Sequence, residues 1–154
     1  MKTKLAALIL VGGSLVALGG AISSDSPNEA PALELSEKMR GFLKFEMGAL
    51  ARAGREIEKA LAEGDSATVQ ENAAKMDKAF IMSQDITTLD LRELEAVLGE
   101  AFVAQDKEFH AMGRALEAAA KANDLKGQRV IFDDMLHACA SCHQAYAPEA
   151  PILE

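Results

Sequence analysis

The chain's two cysteines and one of its three histidines stand together in Cys139-Ala140-Ser141-Cys142-His143. On a helix, positions i, i+3 and i+4 lie on adjacent turns of one face, so this spacing offers two thiols and an imidazole to one bound group. Cys-x-x-Cys-His reads as covalent attachment of haem c, one per chain. Cys139 and Cys142 would take the two vinyl groups, and His143 would be the proximal axial ligand of the iron.

Three other chemistries use a Cys-x-x-Cys pair. A thioredoxin-like dithiol opens a helix that follows a strand, and no strand-like segment precedes Cys139. A structural zinc site takes four ligands. The one further local donor, His137, lies roughly 160° around a helix from Cys139 and points away. A disulfide across one helical turn would constrain little and leave His143 without a role. The remaining histidine, His110, sits roughly 160° from the stripe of Leu94 and Met112 and is expected to face solvent. The sixth position on the iron is left to a methionine, to another group or to nothing. With no nucleophile, carboxylate pair or distal acid-base histidine in view, no enzyme activity beyond redox carriage is read.

Four segments of helical period must position the motif. No proline falls between about residues 34 and 146, apolar residues make up 49% of the 154-residue chain and aromatics only 5%, which suits an all-α fold. Residues 34–62 place Leu35, Met39, Phe42, Leu43, Leu50, Ile57 and Leu61 on one stripe and stop at Gly64-Asp65. Residues 66–84 carry Val69, Ala73, Met76 and Phe80, with Thr68 and Glu71 as a capping-box pair. Residues 91–121, with Asp90 as N-cap, set Leu94, Leu98, Ala101, Gln105, Met112, Leu116 and Ala119 in a row beside Phe102 and Phe109. Residues 124–146 align Leu125, Phe132, Met135, Leu136, Cys139, Cys142, His143 and Tyr146, so chemistry and core share a face; Pro148 and Pro151 end the segment. The outline is that of a four-helix bundle.

Before these segments, MKTK followed by an apolar run and small residues has the layout of a secretory signal peptide over residues 1–23. Glycines at 12, 13, 19 and 20 weaken the competing reading as a permanent membrane anchor. Residues 24–33 read as a flexible lead-in and 148–154 as a tail. Export to the periplasm is expected, with no membrane insertion once the leader is cut. The net charge of −8 becomes −10 without Lys2 and Lys4, which excludes a nucleic-acid backbone partner and suits redox proteins with basic docking surfaces.

A leader, four amphipathic segments and Cys-x-x-Cys-His in the last of them together resemble the class II c-type cytochromes, the cytochrome c prime family and its methionine-ligated low-spin relatives. The resemblance spans roughly residues 33–147, and the ending CASCHQAY is similar to the family's C-x-x-C-H-x-x-Tyr/Phe. It implies an antiparallel four-helix bundle over residues 34–147, with the haem inside near the C-terminal helix and Tyr146 packed beside it. It also implies a distal residue from the first helix. Low-spin members place a methionine there; five-coordinate members place an apolar residue.

Of the two first-helix methionines, Met39 shares the stripe of Leu43, Leu50 and Ile57 to within roughly 40°, while Met47 is roughly 80° off. Met39 is therefore the candidate distal ligand, against the alternative that it only fills the core. Leu35 stands where the family often carries a basic residue one turn earlier. Lys38 and Arg40 flank Met39 and read as solvated charges. Glu46 falls on the inward stripe and is assigned to the bundle's edge.

The expected function is that of a periplasmic mono-haem one-electron carrier. The alternative is a five-coordinate gas binder of the cytochrome c prime type, taking NO or CO on an open distal face lined by Phe42 and Leu43. A haem-free helical module is the third reading. The resemblance further implies a homodimer through the first two helices, with Phe45 on the contact face.

Overall fold

Ser36 begins the first helix because its hydroxyl accepts the Met39 amide at 3.2 Å and satisfies a donor that has no partner within the helix. The computed structural model describes residues 34–153, so the expected signal peptide and lead-in lie outside the described residues. The first helix, α1, runs Glu37–Glu63, two or three residues later than the periodicity suggests, and leaves Leu35 before its start. Gly64 ends it in the left-handed conformation at φ 71°.

The second helix, α2, covers Ser66–Asp77 and is capped by Asp65, whose carboxylate accepts the amides of Ala67 and Thr68 at 3.1 and 3.2 Å. The expected Thr68–Glu71 capping box does not form. Thr68 donates its hydroxyl to Asp65 at 2.6 Å, and Glu71 pairs with Lys75 at 2.7 Å. Nor does α2 continue to residue 84: Ala79 adopts φ 54°, and a separate 3-10 turn occupies Phe80–Ser83.

The third helix, α3, spans Thr88–Lys121 and starts earlier than expected. Thr87 is the N-cap, and Asp90 is its capping-box partner: the Thr87 hydroxyl accepts the Asp90 amide while Asp90 accepts the Thr87 amide at 2.7 Å. Within α3, Gly99 has φ 84° and ψ 167°, so the helical phase is broken there. The fourth helix, α4, runs Leu125–Tyr146 from an Asp124 cap.

Among the described residues there are four α-helices, one 3-10 turn and no strand, an arrangement compatible with a helical bundle. No described helix is long and apolar enough to cross a membrane. The core joins Ala53, Ile57, Ala60 and Leu61 of α1 with Val69, Ala73 and Met76 of α2, Leu116 and Ala120 of α3, and Phe132 and Met135 of α4. Gly113 lets α3 approach α2 closely, because a Cβ there would sit 2.9 Å from the Asp77 nitrogen.

Beyond Gly99 the inward face of α3 centres on Phe102. Relative to Phe102, the buried Gly113, Leu116 and Ala120 fall within roughly 40°, whereas Met112 and His110 lie roughly 80° to either side. The expected row is correspondingly displaced. Ala101 and Gln105 are exposed, and Phe102 is buried in their place.

Candidate functional site

Met135 is the last fully buried residue of α4, and one turn later the helix presents Cys139, Cys142, His143 and Tyr146, each only half-buried. Both cysteines are free thiols. Burial, followed by the neighbouring Cys142, pushes the Cys139 thiol up to about 11. Burial and then the Asp106 carboxylate raise Cys142 as well. Such thiols stay protonated near neutral pH, unlike the lowered-pKa thiolate of a redox dithiol.

His143 donates from Nδ1 to the carbonyl of Ala150 at 3.1 Å. A carbonyl oxygen only accepts, so in the neutral ring this bond assigns the proton to Nδ1 and leaves the Nε2 lone pair for a ligand role. Metal-binding histidines are commonly oriented in this way. Tyr146 meets Phe102 edge to face, with ring centroids 5.1 Å apart and planes at 87°. Two unpaired thiols, an imidazole with a free Nε2 and an aromatic wall form a donor set that fits a covalently held haem.

Met39, in the first turn of α1, has no exposed surface. Phe42 and Leu43 are half-buried. Lys38 and Arg40 are exposed, as expected of solvated charges, and each also has a partner. Lys38 pairs with Asp90 at 2.7 Å and lies 5.3 Å from the Phe42 ring centroid, and Arg40 donates to the Leu35 carbonyl at 2.6 Å. Asp90 is held down at about 2 by the hydrogen bond from Lys38, assisted by Thr87.

Two expectations are corrected. Glu46 is not at an edge but 3% exposed, and its carboxylate accepts the backbone amides of Phe80, at 3.1 Å, and Ile81. It caps the 3-10 turn, which explains a carboxylate on an apolar stripe. His110 does not face solvent: its side chain is 13% exposed, its Nδ1 donates to the Met76 carbonyl, and Nε2 lies 3.4 Å from Asp106. The Leu94 and Met112 stripe marks one edge of the helix face, not its centre. His137 is exposed, as its phase suggests.

No protein-family model matches this chain, and neither a curated protein nor a solved structure does so. The reading of the site therefore stands on its residues. Among the described residues, no group of three or more His, Cys, Asp or Glu side chains converges as a metal-ion site. Two contributors had no signal in the sequence pattern. Asp106 lies on another helix, and its field at Cys142 depends on how α3 and α4 pack. The Ala150 carbonyl is backbone, which no side-chain pattern reveals.

Proposed function

We propose that this protein is a mono-haem c-type cytochrome, built as an antiparallel four-helix bundle with the haem inside, and that it acts as a periplasmic one-electron carrier. The observation that carries the reading is the hydrogen bond from His143 Nδ1 to Ala150, which frees Nε2 on the same helical face as two unpaired thiols. Cys139 and Cys142 would hold the macrocycle through thioethers. His143 Nε2 would ligate the iron, and Met39 would supply the distal thioether from α1.

Bound haem would supply a one-electron Fe(III)/Fe(II) couple, whose potential methionine ligation raises. The protein's own part is to orient and to exclude water. Phe102 fixes Tyr146 from the α3 side, and the rigid helix keeps Cys139 one turn before Cys142 and His143. Full burial of Met39 keeps solvent from its sulfur. The acidic surface would meet basic faces of redox partner proteins, and Phe45, at 39% exposure, remains available for a homodimer contact.

Mass spectrometry of the protein from its native host tests the reading. One covalent haem per chain is expected, on a chain shortened by the leader; a mature mass without haem overturns it. The spectrum then separates the two distal chemistries. Low-spin iron supports the electron carrier, and high-spin ferrous iron that takes up carbon monoxide supports the gas binder.

A further inference from the structure

Pro148 and Pro151 end α4, and the chain that follows does not leave the molecule. Ala147 donates its amide to the His143 carbonyl at 2.8 Å, and Ala150 donates to the Ala147 carbonyl at 2.9 Å. This turn brings the Ala150 carbonyl back to the His143 ring, 3.1 Å from Nδ1. The next three residues reach α1. There Arg55 donates from Nη1 to the Leu153 carbonyl at 2.8 Å, 98 residues away in sequence. The Leu153 side chain rests on Gly54, where a Cβ would lie 2.9 Å from its Cδ2. Ile152 and Leu153 are both half-buried.

We infer that the C-terminal tail is a strap, moored on α1 by Arg55 and the Gly54 surface, that positions His143 by holding the Ala150 carbonyl on its Nδ1. Residues 147–153 carry no apolar core of their own, so the two contacts with α1 decide where the turn sits. A mobile tail would offer the ring only water, and a neutral histidine without a fixed acceptor favours the Nε2–H tautomer, which hides the lone pair needed for a metal. Strapped, the ring carries its proton on Nδ1 and its lone pair on Nε2. The acceptor also makes the imidazole more basic, which favours the higher-charged iron. Arg55 and Ala150 are thus positioning residues. Their effect on a metal rests on the proposed haem ligation, whereas their effect on the tautomer does not.

The test uses the full chain and three variants: a truncation after Ala147, Arg55→Ala and Arg55→Lys. Lys59→Ala, an exposed cation on the same helix, is the control. In haem-free, 15N-labelled protein at alkaline pH, where neutral imidazole dominates, ring NMR should show the Nδ1–H form of His143 as the major tautomer. The truncation should reverse that ratio. Arg55→Ala should move it the same way by a smaller amount, and Arg55→Lys should restore it.

In haem-loaded protein the same two losses should raise the reduction potential, with Lys59→Ala unchanged. If the tautomer responds but no haem ever attaches, the cytochrome reading fails and the strap stands. Should the truncated chain unfold, Arg55→Ala, which removes only a surface contact, becomes the deciding variant. A truncated or Arg55→Ala chain that folds and keeps the wild-type tautomer ratio overturns the strap.

Discussion

Glu46 on α1 accepts the amide of Phe80 at 3.1 Å across 34 residues of sequence, and with Ile81 as second donor it ties the 3-10 turn to the first helix. Burial raises this carboxyl's pKa, and the two amides pull it back. Replacing Glu46 with alanine strands the buried Ile81 amide, a loss of about 1–3 kcal/mol, and leaves the part-buried Phe80 amide to solvent. Glu46→Gln keeps an acceptor and should lose less. Urea unfolding of the two variants checks the order; equal losses would show that the charge, rather than the acceptor, matters.

Met39 offers a way to separate packing from ligation. Met39→Leu conserves volume and should cost less than about 1.5 kcal/mol, while Met39→Ala should cost about 2–5 kcal/mol. If Met39 is the distal ligand, both variants turn low-spin iron to high-spin, although only the second is badly destabilised. A low-spin spectrum retained in Met39→Leu excludes the methionine.

His110 predicts a dependence of stability on pH. Burial opposes its charged form, but the hydrogen bonds to Asp106 and the Met76 carbonyl outweigh burial, and the nearby Glu46 adds to them, so its pKa lies above 6.5. Because the folded value is raised, the stabilisation is complete below 6.5 and is lost as pH climbs through the raised value. Thermal midpoints of wild type and His110→Gln should therefore converge as the solution is made alkaline. A gap that widens with pH contradicts the assignment.

Gly99 holds a backbone conformation at φ 84° and ψ 167° that is essentially restricted to glycine, although open space surrounds its Cα. Gly99→Ala should thus cost about 1–3 kcal/mol through strain alone. Calorimetry measures the loss. No loss would mean that α3 straightens, and circular dichroism would then report added helix.

Much of the site was legible in the sequence because it is local. The spacing of Cys139, Cys142 and His143 and their phase with Phe132 and Met135 follow from one helix of known period, and Gly64 and Pro148 mark where helices cannot continue. Other features depend on partners far away in the chain. The buried face of α3 beyond Gly99 centres on Phe102, Leu116 and Ala120, so Met112 marks one edge of it rather than its middle and His110, on the other edge, is covered. Glu46 on an apolar stripe signalled a buried acceptor, but only the packing of α1 against the 3-10 turn supplied its donors.

The sequence by itself determined the helical class, the helix stops and the chemistry offered by the last helix, since each depends on residues within a few turns of one another. Tertiary structure alone decided where the tail beyond the Ala150 carbonyl is moored, because the Arg55 that holds Leu153 stands on another helix, 98 residues away in sequence.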